Sequence, residues 1–153
     1  MTKKHTETVD SKLKTTWQVV SRMYNAEAAL YDATIAMAHF LLNVDSHDGS
    51  YASDIAPQLG MESTSLSRII RSLEEKEFIV RKTDKDDRRR TLIKLTEKGK
   101  AQKELAKNSV RRFNKELEEK LGQRKMQAFL KTIDEIMQLA EERNRIFNTN
   151  RIK

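Results

Sequence analysis

Residues 84–99 read D-K-D-D-R-R-R-T-L-I-K-L-T-E-K-G, and this stretch decides the fold. The β-prone runs at 78–82 (F-I-V-R-K) and 91–95 (T-L-I-K-L) read as two strands of a hairpin. Between them lies a turn crowded with charge: Lys85, Arg88, Arg89 and Arg90 against Asp84, Asp86 and Asp87. Three consecutive arginines at a hairpin tip repel one another, and holding them there costs free energy unless they meet an anion. The guanidinium is a planar, permanently charged fork that fits phosphate oxygens and base edges. Asp87 can pair with one arginine, fix its direction and leave another to project. Thr96 then caps a new helix.

Upstream, residues 53–59 (S-D-I-A-P-Q-L) read as a short helix capped by Ser53, with Pro57 near its first turn. Gly60 is a turn residue. Residues 62–76 read as a longer amphipathic helix, because Leu66, Ile69, Ile70 and Leu73 fall on one stripe. Two helices joined by a short Gly-containing turn make a helix-turn-helix unit, and with the basic hairpin behind it the unit becomes a winged helix. The second helix exposes Ser63, Thr64, Ser65, Ser67, Arg68 and Arg71. One of Ser63, Thr64 and Ser65 is expected as the N-cap. The rest of this face, hydroxyls and arginines, suits base edges and phosphates in a major groove. Ser65 and Arg68 are the candidates for bases, and Arg71 for a phosphate.

From about residue 35 to 99 the chain resembles the MarR family (multiple antibiotic resistance regulator type) of transcriptional regulators. The resemblance rests on Asp54-Ile55-Ala56, Leu73-Glu74, Ile79-Val80-Arg81, and above all Asp87-Arg88-Arg89 followed by Leu95-Thr96-Glu97-Lys98-Gly99. It implies a homodimer and assigns Arg89 to a minor groove with Asp87 orienting it, since the family's Asp-x-Arg pattern falls on those two residues. An arginine inserted into a narrow, electronegative A·T groove gains there. Arg88 and Arg90 are then expected to hold phosphates. The chain departs from the family at Glu77, where glycine is usual. A side chain there must accept a left-handed backbone or end the helix differently.

The expected architecture is mainly α. It is a winged helix-turn-helix at 33–99 with a two-stranded antiparallel β wing, and long dimerisation helices at 9–31 and 100–148, in one domain of 1–153. Residues 1–8 are expected to be frayed. Leu13, Trp17, Val20, Tyr24, Ala28 and Tyr31 mark one face of the first helix. Residues 33–44 are apolar nearly all round, a buried helix that Thr34 or Asp32 could cap, and Tyr51 could add a short strand contact. Two further helices, broken at Gly122-Gln123, carry stripes from Ala101 to Leu121 and from Met126 to Phe147. The terminal helices hold more apolar surface than a small winged domain can cover, which argues for a homodimer joined through them.

Net charge is +7 in 153 residues, and residues 81–90 alone hold six bases against three acids. That balance leans toward a polyanion. There are no cysteines, which excludes disulfides, Cys-based zinc sites and thiol redox sensing. No apolar run reaches membrane-span length and the first nine residues hold no apolar signal core, so no membrane association and a cytoplasmic location are expected. His5, His39 and His47 lack metal-ligand spacing, and there is no Gly-rich phosphate loop or nucleophile elbow. Neither enzyme chemistry nor a cofactor is expected. His39 lies in an apolar helix, where a core histidine is the ordinary role. In a functional role it would anchor an effector pocket lined by Trp17, Tyr24, Tyr31 and Met37, open to a small apolar or aromatic molecule. The leading expectation is a dimeric regulator binding a pseudo-palindromic double-stranded operator, a repressor released by an effector. The alternatives are a protein-interaction module on a winged scaffold and an RNA-binding winged domain. The stacking aromatics favoured for single strands are absent from the recognition helix and wing.

Overall fold

The computed structural model describes residues 7–84, 87 and 89–150, without the side chains of Ser63 and Asn150. The order is α1 (Val9–Ala29), α2 (Ile35–Leu42), β1 (Ser50–Tyr51), α3 (Ala52–Leu59), α4 (Ser63–Glu75), β2 (Ile79–Thr83), β3 (Thr91–Leu95), α5 (Glu97–Leu121) and α6 (Gln123–Asn150). The chain forms two compact units, residues 1–109 and 110–153, divided within α5.

In the first unit, one core gathers Met37, Phe40, Leu41 and Val44 from α2 and its end, Ile55 from α3, Leu66, Ile70 and Leu73 from α4, and Phe78, Ile79 and Ile93 from the sheet. Each fully buried aliphatic side chain here stabilises the fold by about 1.5–3 kcal/mol relative to exposure. The helical stripe read at Leu66, Ile70 and Leu73 is the stripe that is buried, and Ile69 packs at its edge. Thr34 caps α2, accepting from the Met37 N–H at 3.2 Å, while Asn25 of α1 accepts from the Ile35 N–H at 3.1 Å. Thr8 caps α1; the rest of the stretch expected to be frayed lies outside the described residues, apart from Glu7, which pairs with Lys12.

The two wing strands, β2 and β3, pair antiparallel, and the strand contact expected at Tyr51 forms: β1 joins them in the order β1-β3-β2, with Tyr51 opposite Leu92 and Ser50 opposite Ile93. Two readings are corrected. α3 begins after Tyr51 rather than Ser53, which puts Pro57 sixth in the helix instead of fourth. The N-cap of α4 is Glu62, with no side-chain cap bond, so none of Ser63, Thr64 and Ser65 is the cap. All three lie in the helix's first turn.

The end of α4 is where the unit is tied together. Glu77 takes φ 60°, the left-handed position normally left to glycine. The Phe78 N–H bonds to the Leu73 carbonyl at 2.9 Å and the Glu77 N–H to the Glu74 carbonyl at 2.9 Å, which is a Schellman cap. Leu73 and Phe78, the apolar pair that accompanies such a cap, are both in the core. The Glu77 carbonyl accepts the Thr96 hydroxyl at 2.6 Å, and Thr96 Oγ1 in turn accepts the Gly99 N–H at 2.9 Å to cap α5. Lys98 reaches the Lys76 carbonyl at 2.9 Å, and Lys76 pairs with Asp32 at 2.6 Å. Lys76 thereby holds the Asp32 carboxyl below the usual carboxylate range. A Cβ on Gly99 would stand 1.8 Å from the Phe78 carbonyl oxygen, so the first turn of α5 can lie on that peptide only as glycine. The run Thr96-Glu97-Lys98-Gly99 is thus one joint between α4, β2 and α5.

Further along α5, Lys103 is buried and its ammonium donates to the Val44 carbonyl beyond α2, with burial lowering its pKa. Gln102 donates to the Tyr31 carbonyl at 3.1 Å. No residue of α1 is buried, and Leu13, Trp17, Val19, Met23 and Tyr31 stand exposed. In the second unit, Gly122 at φ 86° separates α5 from α6, so the break falls on Gly122 alone and Gln123 is already helical. Phe129, Leu130, Met137, Leu139, Ile146 and Phe147 of α6 are exposed. Among the described residues no helix is long and apolar enough to cross a membrane.

Candidate nucleic-acid interface

Two elements carry the candidate residues. On α4, the apolar stripe is spent on the core, so the opposite face must look outward. Thr64, Ser65, Ser67, Arg68 and Arg71 are all exposed on it. Arg71 pairs along the helix with Glu75 at 2.9 Å. Arg68 has no hydrogen-bond or ion-pair partner among the described residues. The side chain of Ser63 lies outside the described residues.

The second element is the wing. Its neck closes where the Asp84 N–H donates to the Arg90 carbonyl at 3.1 Å. Two carboxylates then build the turn. Asp84 accepts the Asp87 N–H at 3.1 Å, and Asp87 accepts the Arg89 N–H at 3.0 Å. The Arg90 N–H donates to the Asp87 carbonyl at 2.9 Å. Asp87 therefore meets the backbone of Arg89. The guanidinium of Arg89 is exposed and has no partner among the described residues. Arg88 lies outside the described residues.

Arg90 is placed differently from what the charge run implies. Its guanidinium carbon sits 3.6 Å over the centre of the Tyr51 ring, and one nitrogen lies 3.4 Å from the Asp54 carboxylate. The Tyr51 hydroxyl donates to Asp84. Sequence reasoning missed Tyr51, Asp54 and Asp84 here, because they converge only once β1 joins the sheet. Arg81 likewise pairs with Glu74 of α4, fastening β2 to that helix and holding the Glu74 carboxyl below its usual range.

The residues read as an effector pocket are partly assembled. Trp17 stacks on His39 with centroids 5.9 Å apart and planes 23° off parallel. Burial lowers the His39 pKa and raises that of Tyr24. Met37 belongs to the core, and Tyr31 is exposed. Among the described residues no group of three or more His, Asp or Glu converges as metal ligands.

Residues 34–91 match the model of the MarR family. The chain is 32% identical over 85 residues to the HTH-type transcriptional regulator SarZ of Staphylococcus aureus (strain USA300), a match covering 55% of this chain and 57% of SarZ. The match thus spans little over half the length of that curated relative. Among solved structures, the S. aureus MepR–DNA complex superposes with a TM-score of 0.80 at 22% identity, covering 86% of this chain and 98% of MepR. That likeness speaks for the fold. The transcriptional repressor CouR, bound to a 23-mer DNA duplex, superposes with a TM-score of 0.76 at 28% identity, covering 85% of this chain and 92% of CouR.

Proposed function

We propose that the chain, whose residues 34–91 match the MarR family model, is a member of that family and a sequence-specific double-stranded DNA-binding transcriptional regulator. The observation that carries this reading is the pairing of two outward features on one core. α4 presents Thr64, Ser65, Ser67, Arg68 and Arg71, and the wing presents Arg89 from a turn that Asp84 and Asp87 hold. A helix of this kind fits a major groove, and a projecting arginine fits the adjacent minor groove. Ser63 and Arg88 complete the set from the sequence. CouR, of like fold, is bound to a DNA duplex.

The regulator acts as a homodimer. α1 leaves its apolar side uncovered and α6 does the same in its own unit, surfaces that a second copy would bury. Two-fold symmetry calls for a pseudo-palindromic operator. The protein is a cytoplasmic repressor that catalyses no reaction, and a small apolar or aromatic effector meeting the region of Trp17, Tyr24, Tyr31, Met37 and His39 releases it. The effector needs a differential affinity of only about 1.4 kcal/mol between two arrangements for a ten-fold loss of DNA affinity. The test is a gel shift with the intergenic duplex upstream of its own gene, unrelated duplex, and RNA of the same sequence. Tight binding to the first alone is expected. Equal binding to RNA, or binding to none, refutes the reading.

A further inference from the structure

We infer that Arg90 is a positioning residue of the wing, clamped on Tyr51 and Asp54, which sets where Arg89 reaches and does not itself meet a phosphate. The inference rests on the double-stranded DNA reading above. Its basis is the neck of the wing. Asp84 is the first residue after β2 and Arg90 the last before β3. Their backbones are joined by one hydrogen bond of 3.1 Å. Both side chains then converge on Tyr51, Asp84 accepting its hydroxyl and Arg90 covering its ring at 3.6 Å. Tyr51 is not part of the wing hairpin. It pairs with Leu92 from β1 and is the N-cap of α3, and Asp54, the third residue of that helix, takes the edge of the same guanidinium. The neck is therefore fastened to the first helix of the helix-turn-helix, and the tip with Arg89 is carried beyond it.

The chemistry of the guanidinium points the same way. An arginine that grips phosphate uses its N–H fork in the plane of the group. Here one face is stacked on a phenol and one nitrogen is turned to a carboxylate, so the group is anchored at the neck, and swinging it out to follow a phosphate at the tip would sacrifice both contacts. An arginine and a lysine differ sharply in this role. Lysine still meets a phosphate as a point charge, but it has no planar face to lay on the ring or fork to share with Asp54.

The experiment compares the parent with Arg90→Lys, Tyr51→Leu and the double variant, using duplex DNA titrated over a range of salt. Amide hydrogen exchange is followed in the DNA-free proteins alongside. We expect each single variant to lose on the order of ten-fold in affinity at fixed salt, with the double variant no worse than either, because both break one clamp. The log–log salt slope stays at the parent's value. Without DNA, the Asp84 amide exchanges faster in all three while the amides of α2 keep their protection, which shows that the core is folded. An Arg90→Lys protein that binds as the parent does overturns the inference. So does a Tyr51→Leu protein with unchanged affinity. A parent that binds no duplex overturns the DNA-binding reading instead, and the Asp84 exchange then shows separately whether the clamp exists.

Discussion

Glu77 holds a left-handed backbone at φ 60° because the Schellman cap, the Thr96 bond and the burial of Leu73 and Phe78 all require the chain to turn there. The strain falls on a residue with a Cβ, so Glu77→Gly should stabilise the protein by about 0.5–1 kcal/mol, after allowing for the extra freedom of glycine in the unfolded chain. Denaturant unfolding measures it, and a loss of stability would mean the Glu77 side chain has a role that its exposed position hides. Gly99 is the opposite case. Its missing Cβ is what lets α5 lie on the Phe78 peptide, and Gly99→Ala should cost about 3 kcal/mol by the same measurement. Arg89 has no structural task among the described residues. Arg89→Ala should leave the unfolding midpoint unchanged while weakening operator binding by about 1–3 kcal/mol in titrations at fixed salt. Equal affinity would remove the wing from the interface.

At the scale of elements, α3, α4 and the wing strands were legible to within a residue or two, since each has its own periodicity and its own punctuation at Gly60 and Thr96. The third strand was only suggested, because two residues carry no pattern and Tyr51 becomes a strand by pairing with Leu92. The cap of α4 was misread for a related reason. Three hydroxyls in a row offer a local capping pattern, yet the cap falls one residue before them, at Glu62, and the helix starts at Ser63. The seam between α1 and α2 carries a consequence for pH. Burial lowers the His39 pKa below its ordinary value, so the neutral ring is the form that the fold favours. Its contribution is complete above about pH 6.5, the unfolded value, and is lost as pH falls through the folded one. The melting temperature should fall between pH 7.5 and 5.5 (roughly spanning that window), and fall less in His39→Gln. A parallel decline in both proteins would place the acid sensitivity elsewhere.

For the whole molecule, the unburied apolar residues of α1 and α6 are the decisive quantity. A chain with this much uncovered Leu, Met and Phe should associate. Light scattering at micromolar concentration should give the mass of two chains, and a half-site spacing of about 34–36 Å follows for its operator. A stable monomer would refute the dimer and the palindrome together.

Local sequence set the helices and the two long strands, which stripe of α4 is buried, and hence which face of that helix stands exposed. Those follow from period, charge and turn chemistry within about a dozen neighbouring residues. Tertiary structure decided what became of individual polar groups. Lys103 reads as one more charge on a solvated helix, yet it is buried against the Val44 carbonyl. Arg90 reads as the third member of a basic run, yet it lies on Tyr51, 39 positions earlier in the chain. A permanently charged side chain carries no local mark of whether it will face solvent, an anion or an aromatic ring. That depends on which distant carbonyl, carboxylate or ring the fold brings within about 4 Å, where Coulomb and cation–π energies become large enough to choose.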